Sequence, residues 1–360
     1  MTDILILTAS FGMGHINVSK ALKEQIESEN KNAEIAIADI LEIVNPKIKN
    51  FSSKMYCELT ENYPIVYNAF YDIKVNYKNN IIDSVFCNLC YKKLYDYILN
   101  EKPKVIISTF PLCSCIISKI KEEYNVNVNL ITVITDVVDS WEWIYKGTNM
   151  YLVPTNEIMN RLINKGINKN IIIVTGIPVT KEFINRDIGL SAKKNISLLI
   201  VLSGVDNISK NMLYELDKNN NIKIKIVTGR NKKLFDKLSD CVFTNIEVYG
   251  YVNNLNQMMD ESLLIVTKPG GVTIFEAINK ELPLIVLNSN IGQEKENIEF
   301  IKQNKIGIVI NDLSSLPYIF DYYINNPGII NYYCKNIRNI KKTLNYKSCF
   351  GSVINEVIQV

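Results

Sequence analysis

Short unbroken runs of Val, Ile and Leu alternate along this chain with longer stretches whose apolar residues recur at helical spacing. The runs of strand length are Ile4–Leu7, Glu34–Ala38, Lys104–Ser108, Asn129–Thr135, Tyr151–Val153 and Ile171–Val174 in the first half. The second half offers Ser197–Leu202, Lys223–Val227, Ile246–Val248, Leu263–Val266, Pro283–Leu287 and Ile306–Val309. The stretches between them read as amphipathic helices, with Ala21, Leu22 and Ile26 as one example. Strands apolar on both faces and separated by helices predict parallel sheets covered on both sides. A polar stretch, 181–195, interrupts the pattern, which then begins again. The expectation is α/β: two doubly wound halves, with ligands at the carboxyl ends of the strands in the cleft between them. The expected divisions are residues 1–182, a linker 183–195, a second half 196–328 and closing helices 329–360.

Composition narrows this picture. With 360 residues, 47% hydrophobic and 21% charged, the chain has material for two cores and is not disordered. Its 40 basic and 37 acidic side chains leave a net charge of +3, too balanced for a protein devoted to nucleic acid. The N-terminus has no basic region ahead of its apolar run, so no signal peptide is expected. No apolar run approaches the roughly 20 residues that span a bilayer. Eight cysteines are too sparse for a disulfide scaffold, and Cys87-x-x-Cys90 and Cys113-x-Cys115 read as free thiols. A cytoplasmic protein is expected, and any membrane contact is peripheral.

Three motifs carry the chemistry. Thr8-Ala9-Ser10-Phe11-Gly12-Met13-Gly14-His15 follows the first strand and opens the first helix. Its glycines permit a tight turn and close approach of a ligand, and the helix start supplies unpaired N–H groups. Asn17 stands where the dinucleotide fingerprint needs its third glycine. His15 is the only histidine of the chain, and at this place it is poised to stay neutral and accept a proton. The second motif, Thr267-Lys268-Pro269-Gly270-Gly271-Val272-Thr273-Ile274-Phe275-Glu276-Ala277, again joins a buried strand to a helix. Gly270 and Gly271 remove side chains where a phosphate would dock, and the N–H groups of Val272 and Thr273 face out of the helix start. Glu276, placed on the first turn, either accepts hydrogen bonds from a ribose or merely favours the positive helix end. The third motif is Gly292-Gln293-Glu294-Lys295-Glu296-Asn297. It follows the next strand and so should neighbour the second, with Gln293 and Glu294 offering donors and acceptors to sugar hydroxyls.

Together these motifs resemble the diacylglycerol glycosyltransferases, the family of bacterial processive diacylglycerol glucosyltransferase and plant-type monogalactosyldiacylglycerol synthase. Ser108-Thr109-Phe110-Pro111, Ile134-Thr135-Asp136, Val174-Thr175-Gly176-Ile177-Pro178-Val179 and Tyr249-Gly250-Tyr251-Val252 fall in the same order as in that family. The peptidoglycan lipid-linked N-acetylglucosaminyltransferase is related. The resemblance implies a GT-B fold: two Rossmann-like domains facing across a cleft, an acceptor and membrane half, a UDP-sugar half, and C-terminal helices returning toward the first. It implies a UDP-sugar donor and a diacylglycerol acceptor. It places the diphosphate at Gly270, Gly271, Val272 and Thr273, the ribose at Glu276 and the donor sugar at Gln293 and Glu294. Uracil falls to main-chain groups near Tyr251 and Val252, with Gly14, Ser203 and Gly204 also at the donor. His15 is implied as the acceptor-activating base, with Asp136 as a second candidate or its electrostatic partner.

The chain departs from the family pattern in three places. Ser140 and Tyr145 stand where the family usually has histidines, on either side of the family's tryptophan at Trp143. Thr180 stands where an arginine is usual, and the loop Ser203-Gly204-Val205-Asp206 lacks a common histidine. No Asp-x-Asp occurs, so no metal–diphosphate clamp and no cofactor are expected. An inverting displacement is implied, in which the helix N-terminus takes the leaving charge.

The segment 63–71, with Tyr63, Tyr67 and Phe70, is followed by Lys74, Lys78, Lys92 and Lys93. It reads either as a face for an anionic membrane surface or as a core patch. Trp143 reads either as an acceptor contact or as packing. Glucose, galactose and N-acetylglucosamine donors, another lipid acceptor, a UDP-sugar epimerase or hydrolase, and a non-catalytic UDP-sugar sensor that binds a protein partner all remain open on sequence.

Overall fold

The computed structural model describes residues 2–10, 13–45, 81–184, 196–202, 205, 208–219 and 222–344, with the backbone alone at 81–89 and 196. The chain divides into two compact units, the first of Met1–Lys181 with Asn290–Gln293 and the C-terminal residues from Leu344, the second of Glu182–Ser289 with Glu294–Thr343.

The first unit is built on a parallel sheet of six strands: β1 (Ile4–Thr8), β2 (Ile35–Asp39), β3 (Val105–Ser108), β4 (Asn129–Val133), β5 (Met150–Val153) and β6 (Ile172–Val174). Their order is β2-β1-β3-β4-β5-β6. From β1 the chain moves outward to β2 and then crosses back to β3 on the other side of β1, where Leu7 is in register with both Ala38 and Ser108. That reversal opens a crevice beyond the carboxyl ends of β1 and β3. The strands are apolar on both faces because helices cover both. Leu5, Leu7 and Ile106 pack with Cys113, Ile116 and Ile120 of helix Pro111–Tyr124.

The second unit repeats the plan with β7 (Ile196–Val201), β8 (Ile222–Val227), β9 (Ile246–Tyr249), β10 (Leu264–Thr267), β11 (Leu284–Leu287) and β12 (Gly307–Ile310). These are again parallel, in the order β12-β11-β10-β7-β8-β9. Here the reversal lies between β7 and β10. One core runs from Leu198, Ile200 and Ile224 to Leu316, Phe320 and Ile330 of the closing helices.

Every strand run expected from sequence is present, with ends shifted by two residues or fewer. The stretch 185–195, most of the expected linker, lies outside the described residues, as does 345–360. So does the aromatic segment holding Tyr63, Tyr67 and Phe70. Among the described residues no helix is long and apolar enough to cross a membrane. Cys113 is buried and Cys90 and Cys115 are half-buried, and none of the three is in a disulfide.

Candidate active site

In the first unit, helix Met13–Glu29 begins just beyond β1 and carries Gly14 and His15 in its first turn, at the sheet's reversal point. The half-buried His15 places Nδ1 2.8 Å from the main-chain carbonyl oxygen of Thr109 and 3.1 Å from the Thr135 hydroxyl. Thr109 follows β3 and Thr135 follows β4, so strand order brings the three together. A carbonyl only accepts, so Nδ1 carries the proton and Nε2 is the basic nitrogen. The Phe110 ring meets the imidazole edge-on, with centroids 5.0 Å apart. Burial drives the imidazole down to about 4, although the hydrogen bond to Thr109 favours its protonated form. His15 is therefore neutral at physiological pH.

Asp136 is half-buried and directly follows Thr135. The groups found at Nδ1 are the Thr109 carbonyl and the Thr135 hydroxyl. Neither is among the site residues expected from sequence, although both lie inside motifs shared with the family. Trp143 is 2% exposed and packs inside the first unit, whereas half-buried Trp141 has the Lys165 ammonium 5.2 Å from its ring. Of the positions that depart from the family pattern, Ser140 is buried and donates to Glu142, while Tyr145 uses its main chain to bond the Tyr151 hydroxyl. Thr180 is half-buried.

In the second unit, helix Gly271–Asn279 starts beyond β10, at the reversal point of that sheet. Gly270 occupies the cap position with extended backbone and, having no side chain, makes no capping hydrogen bond to this helix end. The N–H groups of Gly271, Val272 and Thr273 are those a helix start leaves without intrahelical partners. The loop before them is held from outside: Asn297, fully buried, donates Nδ2 to the Pro269 carbonyl at 2.9 Å. The third motif thus braces the second, as their neighbouring strands led one to expect, and through a residue whose part the spacing alone did not reveal. Gln293 and Glu294 open helix Gly292–Asn304, where the Glu294 carboxylate accepts from the Ser289 hydroxyl. Tyr251 is 62% exposed beyond β9, with the Arg230 guanidinium 5.6 Å from its ring, and Val252 is half-buried beside it. Ser203 and Gly204 lie outside the described residues.

Glu276 requires a correction. It stands in the second turn of its helix, not the first, because the helix starts only at Gly271. At 8% exposure it is not a surface charge near a helix end. Burial alone pushes its carboxyl up to about 8, so the unliganded protein holds it largely protonated at neutral pH. In the unfolded chain the same group ionises near 4.5. Between those two values the folded state binds the extra proton, so stability falls as pH rises from about 4.5 to 8. Glu276→Gln is expected to flatten this fall. Melting temperatures measured at pH 5 and pH 8 should separate more for the parent protein than for the variant.

The comparisons agree with this architecture. Residues 15–179 match the family model described as monogalactosyldiacylglycerol (MGDG) synthase, and residues 202–321 match the glycosyltransferase family 28 C-terminal domain. A processive diacylglycerol beta-glucosyltransferase of Staphylococcus haemolyticus is 31% identical over 86% of this chain and 81% of its own length. One from Staphylococcus carnosus is 27% identical over 96% of this chain and 91% of its own length. Among solved structures, a spinosyn rhamnosyltransferase superposes with a TM-score of 0.65 at 10% identity, covering 99% of this chain and all (100%) of its own. The calicheamicin glycosyltransferase CalG4 also gives 0.65, at 8% identity, covering 99% of this chain and 97% of its own. Such low identities establish the fold alone: the two sheets are those of the GT-B glycosyltransferases. The sequence likeness goes further, along most of both chains, and the protein is a glycosyltransferase that belongs to the family of the processive diacylglycerol glucosyltransferases and monogalactosyldiacylglycerol synthases.

Proposed function

We propose that this enzyme transfers a hexose from a UDP-sugar to diacylglycerol with inversion at the anomeric carbon, making a membrane glycolipid. Diacylglycerol is the acceptor named in its relatives, and glucose is the sugar those full-length relatives carry in their names. Fold neighbours solved with thymidine diphosphate and with UDP support a nucleoside diphosphate donor. The observation that carries the mechanism is the hydrogen bond between His15 Nδ1 and the Thr109 carbonyl, which leaves Nε2 as the base.

The chemistry balances without a further reactant. Nε2 takes the proton of the acceptor hydroxyl while that oxygen forms its bond to C1 of the sugar. The bond from C1 to the phosphate oxygen breaks, and UDP leaves with its electron pair. The N–H groups of the helix start at Gly271, Val272 and Thr273 stabilise the charge that develops on the diphosphate. In this reading Glu276 receives the ribose, Gln293 and Glu294 read the sugar, and the main chain at Tyr251 and Val252 receives the uracil. The enzyme meets its acceptor at the surface of the bilayer, with the aromatic segment 63–71 as the docking element.

The test offers the purified protein labelled UDP-glucose, UDP-galactose or UDP-N-acetylglucosamine together with diacylglycerol vesicles. Labelled glycolipid, formed fastest from UDP-glucose, is the expected result. Free labelled sugar alone would make the protein a hydrolase, and bound but unconverted donor would make it a sensor.

A further inference from the structure

The geometry around His15 points to a positioning device built from hydroxyl groups: we infer that Thr135, together with a buried Ser19–Thr109 pair, holds the histidine ring in its Nδ1-protonated form. The inference rests on the reading of His15 as the base, and it names the residues that make the ring fit for that task.

The side chains come from three elements. Ser19 lies one turn beyond His15 on helix Met13–Glu29, and its hydroxyl is 2.9 Å from the His15 carbonyl. The same hydroxyl is 3.0 Å from Thr109 Oγ1, and both side chains are fully buried. Thr109 Oγ1 also reaches the Leu7 carbonyl at 3.3 Å, and the Thr109 N–H donates to that carbonyl at 3.0 Å. Thr109 is thereby tied to β1 through its main chain and to the helix through its side chain. Its own carbonyl, the one facing Nδ1, has little freedom to turn away. Thr135, 3% exposed, closes the other side with its hydroxyl 3.1 Å from Nδ1.

The arrangement selects a tautomer by repulsion as much as by attraction. If Nδ1 lost its proton, its lone pair would face the carbonyl lone pairs across 2.8 Å. The ring could escape only by turning, and Thr135 and the edge-on Phe110 ring occupy the neighbouring space. The two groups at Nδ1 are neutral. They orient the imidazole by hydrogen bonding, as carboxylates do in many histidine bases, but without adding a negative charge to the acceptor site.

The single histidine makes the test direct. Protein labelled with nitrogen-15 at histidine yields only one pair of ring signals, from which the tautomer is read. The parent protein should show one form, protonated at Nδ1. Thr135→Val, which keeps the volume and removes the hydroxyl, should give mixed tautomers and lower kcat about tenfold, with the donor KM unchanged. Thr135→Ser should restore both signals and rate. In a His15→Ala background, Thr135→Val should cause no further loss, a result that a purely structural threonine would not produce. A parent protein protonated at Nε2, or a Thr135→Val protein that keeps one tautomer and full kcat, would overturn the inference. Should His15→Ala leave turnover intact while the tautomer is as expected, the base assignment falls and the positioning geometry stands.

Discussion

Replacing His15 with alanine is expected to lower turnover by about 10²–10⁴-fold, the usual contribution of a positioned general base. UDP affinity, measured by calorimetry, should be unchanged, because the diphosphate is proposed to bind at the helix start after β10 and not at the imidazole. The pH profile gives an independent check. The base works only when unprotonated, and burial holds the ring near 4. The rate should therefore be level from about pH 8 down to about pH 5 and then fall tenfold per unit below about pH 4. A fall centred near 6.5, the ordinary histidine value, would mean that the ring is not held as the structure has it. Undiminished turnover in the alanine variant would remove His15 from the reaction and promote Asp136.

Gly270→Val is the second substitution with a large expected effect, and here the fold and the site respond differently. A Cβ at Gly270 meets no heavy atom within 4 Å, and the backbone there has φ −77, which any residue adopts. The folded protein has room for the side chain, at the cost of a poorer helix cap worth about 1 kcal/mol. The melting temperature should drop by about 2–4 °C. Donor affinity should drop at least about tenfold, because the new side chain fills the space that the diphosphate needs in front of the helix start. Gly307 provides the contrast. A Cβ there would stand 2.0 Å from the Leu284 carbonyl oxygen, inside the pairing of β11 with β12. Gly307→Ala should therefore damage folding itself. A well-folded Gly270→Val protein with unchanged donor affinity would dismiss the helix start from donor binding.

These two glycines show where sequence and structure part. In the sequence, Gly270 stands out because it sits in a strand-to-helix loop with a second glycine, a pattern with a chemical use. Gly307 carries no such mark, since nothing near it in the chain says which backbone will lie against it. The motif positions and the strand runs were legible for a common reason: each depends on residues close in the chain. Glu276 was misplaced by one turn because a helix start shifts by a residue or two with the cap, and the cap turned out to be Gly270. Its burial, at 8% exposure, comes from the packing of its helix in the folded unit. No local pattern reports that. Asn297 closes the third motif in sequence, but its hydrogen bond to Pro269 spans 28 positions and forms only because β10 and β11 lie side by side.

Local pattern is enough to predict two parallel α/β sheets, glycine-opened helix starts after β1 and β10, and one histidine at the first of them. Local spacing and the chemistry of Gly and His suffice for that. The groups that hold the histidine come together through folding. Its partners lie 94 and 120 residues away, and they meet it because β1, β3 and β4 are successive strands in space. One of them is a main-chain carbonyl, a group present at every residue and so without any mark in the sequence. Which carbonyl faces the ring, and hence which nitrogen is basic, is settled by strand order and by the buried hydroxyls that stop the carbonyl from turning.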